Sequence, residues 1–152
     1  MNNPLKSFSS LSLGLLLARI PMGAFFIIAG YKKLMVIGMQ KFIEENIQHV
    51  PATVPHDLGS YYLHALPYLE MAVGTLLIVG FVTRFMGLLG AAMVVSFVIG
   101  STGLMNSATG FHSNVIFIGL LSLLFFSGAG ALSLDGLLFN NARQQRRANA
   151  AT

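Results

Sequence analysis

Four long apolar runs dominate the chain, separated by turn-forming or polar segments. The first covers 11–30 and is interrupted only by Arg19 and Pro21. The second, 61–81, carries His64, Pro67 and Glu70, the third, 85–105, has no charged residue, and the fourth covers 115–131. Val82-Thr83-Arg84 makes a tight turn before the third run, and Asn106-Ser107-Ala108-Thr109-Gly110 a polar one before the fourth. A helix needs about 20 mostly apolar residues to cross a hydrocarbon core of about 30 Å. Continuous apolarity of this length predicts helices, because membrane barrel strands alternate over about ten residues. The expected fold is an all-α membrane protein, a four-transmembrane-helix bundle over 1–139 followed by a basic tail over 140–152.

The segment joining the first two runs is too long for a simple connection. Met39, Phe42, Ile43, Ile47 and Val50 recur at helical spacing, with Gln40, Lys41, Glu44, Glu45 and Gln48 opposite them. This predicts a short amphipathic helix lying in the outer membrane interface, ended by Pro51 and Pro55. A signal peptide is the alternative reading of the first run, since Lys6 precedes it and Ala29-Gly30 ends it. Arg19 within the hydrophobic region and Ile27 near the cleavage position argue for a retained span.

Composition reinforces the membrane assignment. Only 9% of the 152 residues are charged and 55% are hydrophobic, whereas soluble domains carry roughly 25% charged side chains. An ordinary soluble enzyme, a disordered tail and a soluble nucleic-acid binder are excluded, and no length remains for a second domain. The absence of cysteine removes disulfides, thiolate zinc sites, iron–sulfur ligation and an internal thiol relay. The net charge of +4 reflects orientation rather than nucleic acid. Lys6, Arg84, Arg143, Arg146 and Arg147 fall on the side of both termini, against Lys32, Lys33 and Lys41 opposite, five to three. Basic residues collect on the cytoplasmic side, so a multi-pass protein of the cell (inner) membrane with both termini cytoplasmic is expected. The three terminal arginines then meet anionic headgroups.

Arg19 and Glu70 are the charges out of place. An ionised side chain at a span centre costs roughly 2.5–3.5 kcal/mol on insertion scales, so each calls for a partner or a role. Counted from the inner ends of their spans, they differ in depth by only about 5 Å at 1.5 Å per residue. Gly23 and Gly74 each follow their charge by four residues and leave that face bare. The expectation is an Arg19–Glu70 ion pair inside the bundle. Either it locks two spans together, or it floors a cavity for a quinone, an anion or a proton path. Pro21 and Pro67 each release a carbonyl four residues earlier, at Leu17 and Leu63, and such groups need a partner.

The four histidines, His49, His56, His64 and His112, map to the outer half. His64 and His112, near the starts of their spans, are candidate contacts for a quinone, a haem or a metal, with interfacial solvation as the alternative. Haem is disfavoured, since no spacing or carboxylate–histidine motif supports it. Tyr31, Tyr61, Tyr62 and Tyr68 read as interfacial anchors. Ala92, Ser96 and Gly100 form a small-residue stripe, and Gly87 with Ala91 a second, both suited to close helix packing.

The ordered set of segments resembles the DoxX family of small four-helix membrane proteins. It comprises Leu17-Ala18-Arg19 with Gly23, Gly30-Tyr31-Lys32-Lys33-Leu34, and Pro67, Glu70 and Gly74. Gly80-Phe81-Val82-Thr83-Arg84 and Gly128-Ala129-Gly130-Ala131-Leu132-Ser133-Leu134-Asp135 complete it. The fourth run lacks the acidic residue of many relatives and has His112 and Asn114 instead. The resemblance implies that Arg19, Lys33, Glu70 and Arg84 are the polar site positions. It also implies an accessory subunit of a larger membrane complex, redox or respiratory in type, with a quinone or small-ligand pocket around Arg19 and Glu70. The alternatives are a quinone-reactive subunit of a thiosulfate- or thiol-linked oxidoreductase, and a small-molecule permease. Expected partners are membrane lipid and other complex subunits or further copies of the chain. No complete catalytic constellation is present, so an autonomous enzyme is not expected.

Overall fold

A computed structural model describes residues 10–100 and 114–138. Helix α1 (Ser10–Tyr31) continues through Pro21, which sits on the exposed side. It widens into a π-helical stretch over Lys32–Gly38 that contributes no buried residue. Gly38, at φ 87° and ψ 138°, redirects the chain into α2 (Met39–Asn46), a conformation that glycine adopts without a steric penalty. A 3-10 turn over Ile47–His49 follows, and Pro55 precedes α3 (His56–Val79). Gly80, at φ 72°, ends α3 by returning its N–H to the Leu76 and Leu77 carbonyls. Two residues later α4 (Thr83–Gly100) begins, and α5 (Asn114–Ser127) is the last long helix described.

Two helix pairs make the bundle. In one, α1 and α3 run antiparallel, with Gly23 facing Gly74 and Gly30 facing the Pro67 carbonyl. In the other, Gly87 of α4 meets the backbone of α5 at the Leu121 carbonyl and the Phe125 N–H. Phe26, Leu77, Val94, Leu121 and Leu124 fill the space between the pairs and are fully buried. The start of α1, the α3–α4 turn and residues 128–138 gather at one end, the proximal end. The π-helical stretch, α2 and the start of α3 cap the other, the distal end.

The chain is thus an all-helical membrane protein, and its long helices agree with the runs read from the sequence. Among the described residues, three helical segments are long and apolar enough to cross a bilayer. The fourth run yields a helix of 14 residues, about 21 Å at 1.5 Å per residue. It stops at Ser127 rather than near 131 because Gly128 (φ 78°) and Gly130 (φ 75°) turn the chain back under the bundle. Residues 101–113 and the basic tail, with His112, Arg143, Arg146 and Arg147, lie outside the described residues. Helix α2 stands where an amphipathic helix is expected. It buries Phe42, with Ile43, Ile47 and Val50 packed on the core, and leaves Gln40, Lys41, Glu44 and Glu45 on the other side.

Candidate functional site

The two intramembrane charges do not meet. Arg19 is fully buried, and its Nη2 donates to the Leu132 carbonyl at 2.5 Å. Nη1 occupies the space a β-carbon on Gly80 would need. Asp135 attracts the guanidinium without an ion-pair contact, and Arg19 Nε and Nη1 are buried with no hydrogen-bond partner among the described residues. That carboxylate accepts the N–H groups of Val82 (2.8 Å) and Thr83 (2.9 Å), and the Asp135 N–H donates to the Gly80 carbonyl (3.0 Å). It therefore holds Val82 at φ 49°, a left-handed conformation that a β-branched residue rarely adopts. The 80–84 and 128–135 segments, remote in sequence, are joined at the proximal end around Arg19.

Glu70 is paired with Lys33 instead, a correction to the expected Arg19–Glu70 ion pair. The reason is register combined with side-chain direction. The Gly23–Gly74 and Gly30–Pro67 contacts set Glu70 level with the Ile27–Gly30 turn. That turn lies roughly 12 Å along the helix from Arg19, at 1.5 Å per residue. Side chains on a helix lean toward its N-terminus. Arg19 therefore leans toward the proximal end and away from Glu70, whereas Lys33, beyond Gly30, leans back into the bundle and reaches it.

Lys33 also borders a cavity of about 820 Å³ at the distal end. The ammonium lies 5.3 Å from the Phe42 ring centre and 4.9 Å from that of Phe97, close enough for cation–π attraction. One cation thus ties the π-helical stretch to α2, α3 and α4. The walls are mainly apolar, with Leu63, Leu66 and Val54 among them, and the other polar lining groups are Asn46, His49, Tyr62, Ser96 and Asn114. Tyr62 and Ser96 bridge α3 to α4 by a hydroxyl–hydroxyl bond of 2.5 Å. Ser96 Oγ donates onward to the Met93 carbonyl at 2.7 Å, and Asn46 Nδ2 donates to the Phe42 carbonyl at 2.8 Å. Neither Arg19 nor Glu70, the residues expected around a pocket, lines this cavity: Glu70 lies behind its wall through Lys33, and Arg19 takes no part.

Gly23 and Gly74 form the α1–α3 contact rather than a cavity wall. Arg84 is exposed and lies over Gly128. His64 is exposed, and its Nδ1–H donates to the Ser60 carbonyl at 2.9 Å; His112, its expected counterpart, lies outside the described residues. Of the small stripe, Ala92 is exposed, while Ser96 and Gly100 line the cavity. The face of α4 in close helix contact carries Gly87, from the second expected stripe, together with Gly90. Sequence reading missed Asn46, Phe97 and the inward course of Tyr62. Tyr62 stands beside the exposed Tyr61 but within about one helical turn of Gly59 and Leu66, both buried. That helical-face signal separates it from the interfacial tyrosines. Among the described residues, no group of three or more His, Asp or Glu is arranged to hold a metal.

Apolar helices of this length, with buried charges paired or capped inside them, define a small polytopic membrane protein. The chain belongs to the DoxX family, whose model, DoxX, matches residues 14–106. The match takes in Arg19, Lys33, Glu70 and Arg84 and ends before the 128–135 segment. No curated protein matches the chain, and no solved structure does.

Proposed function

We propose that this DoxX protein is an accessory subunit of a larger membrane redox complex, and that the distal cavity is its pocket for a quinone-class amphiphile. The cavity carries the reading. Small-molecule sites are concave, mostly apolar, about 300–1,000 Å³ in size and furnished with a few convergent polar groups. A volume of about 820 Å³ with Lys33, Tyr62 and Asn46 set among aliphatic and aromatic walls fits that description. The excess of basic residues on the side of the termini supports a cytoplasmic location for both, in the inner membrane. The cavity then opens in the outer half, and α2 lies in the outer interface with its charged face toward water.

The test is gentle detergent purification followed by mass spectrometry of bound lipids and proteins. A quinone near one per chain, lost when Val54→Trp fills the cavity, is expected, together with a redox partner subunit. Absence of quinone from the native protein, or retention in the filled variant, overturns the pocket. Purification without any partner overturns the accessory role.

A further inference from the structure

We infer that the pocket recognises its ligand through hydroxyl groups, and so holds a hydroquinone or phenol in preference to a quinone. The inference rests on the reading of the distal cavity as a ligand pocket, and its basis is the direction of the hydrogen bonds in the wall.

A hydroxyl has one hydrogen to give. Ser96 gives its hydrogen to the Met93 carbonyl, so the 2.5 Å bond between Ser96 and Tyr62 is donated by Tyr62. Tyr62 Oη is left with acceptor capacity only. Asn46 commits one Nδ2 hydrogen to the Phe42 carbonyl, which fixes the orientation of its amide and leaves it a second Nδ2 hydrogen to donate as well as Oδ1 to accept. Tyr62 thus offers a fixed acceptor, Asn46 an acceptor beside a donor, and Lys33 is the charged donor among them. One Lys33 hydrogen goes to Glu70, whose other oxygen, Oε2, is buried without a hydrogen-bond partner among the described residues.

A quinone carbonyl only accepts. It finds Lys33 and the free Asn46 hydrogen, but it leaves Tyr62 Oη facing a further acceptor. A hydroquinone hydroxyl accepts from Lys33 and donates to either of the other two. The Lys33–Glu70 pair has no net charge, so the pocket suits a neutral phenol and has no spare cation for a carboxylate or phosphate. A hydrogen bond gained in such a site is worth about tenfold in affinity.

The experiment measures binding to the full chain in lipid nanodiscs under anaerobic conditions. The probes are a decyl-chain benzoquinol, its dimethyl ether, the matching quinone and the redox-inert 4-nonylphenol. The quinol and the phenol are expected to bind at least about tenfold more tightly than the quinone and the ether. Tyr62→Phe is expected to shrink that difference by lowering quinol and phenol affinity more than quinone affinity; an undiminished difference in this variant overturns the hydroxyl preference. A quinone that binds as tightly as the quinol, or an ether that does, overturns the hydroxyl preference and leaves the pocket standing. If no probe binds, the pocket reading falls and the inference falls with it.

Discussion

Gly23 of α1 and Gly74 of α3 meet backbone to backbone: a β-carbon built on either lies 2.5 Å from the carbonyl oxygen of the other. This contact fixes the register that sets Lys33 above Glu70. Gly23→Ala and Gly74→Ala are expected to destabilise the bundle by about 1–3 kcal/mol each, the usual cost of overpacking. Gly14 has nothing within 4 Å of such an added carbon. Gly14→Ala in α1 should therefore stabilise by about 0.5–1 kcal/mol through helix propensity. Thermal unfolding in detergent measures all three.

The Lys33–Glu70 pair predicts an asymmetric mutational cost. Glu70→Gln leaves the Lys33 charge without its counter-ion and is expected to cost about 3–5 kcal/mol. Replacing both partners, Lys33→Met with Glu70→Leu, should recover most of that loss. A double-mutant cycle between Arg19 and Glu70, by contrast, should give a coupling under about 0.5 kcal/mol, as expected for separated sites. A strong Arg19–Glu70 coupling would contradict the pairing described above.

Gly80 combines a left-handed backbone with contact to Arg19 Nη1. Gly80→Ala meets a backbone cost of roughly 1–2 kcal/mol and must also displace the guanidinium from its place beside Leu132. Its melting temperature should fall further than that of Gly23→Ala. Arg19→Met added to Gly80→Ala should restore part of the loss, which identifies the clash rather than the backbone as that part.

Asp135 caps α4 from outside the helix. Asp135→Ala is expected to cost about 0.5–2 kcal/mol, the range for a lost N-cap, and to speed hydrogen exchange at the Val82 and Thr83 amides selectively. Ligand binding at the distal cavity should be unchanged, because the substitution acts at the opposite end of the bundle.

The bundle is legible in the sequence because its helices are written as long apolar runs, and Gly23 with Gly74 advertises a bare face by spacing alone. The partner of Glu70 is not legible from depth. Counting residues from the span ends places α-carbons, but a lysine or arginine carries its charge several ångströms away, in the direction set by helix polarity. Arg19 and Lys33 lean the same way along one continuous helical path, so the residue counted to the right depth misses Glu70 and the one beyond it reaches back. The end of α5 is likewise hidden, since Gly128 and Gly130 read equally well as small residues within an apolar span. The cavity depends on Tyr62 turning inward while Tyr61 and Tyr68 remain exposed, a distinction of helical face that composition does not carry.

The glycine contact also has an electrical consequence. It closes the α1–α3 seam between Lys33–Glu70 on one side and Arg19 with Asp135 on the other. Lys33 and Glu70 neutralise each other, and the stretch between the two sites carries no charge among the described residues. A membrane potential does work of about 2.3 kcal/mol per elementary charge per 100 mV, but only on a charge that can travel. Among the described residues no charged side chain lies along the seam between the two sites, so the seam offers a moving charge no ionisable stepping stone.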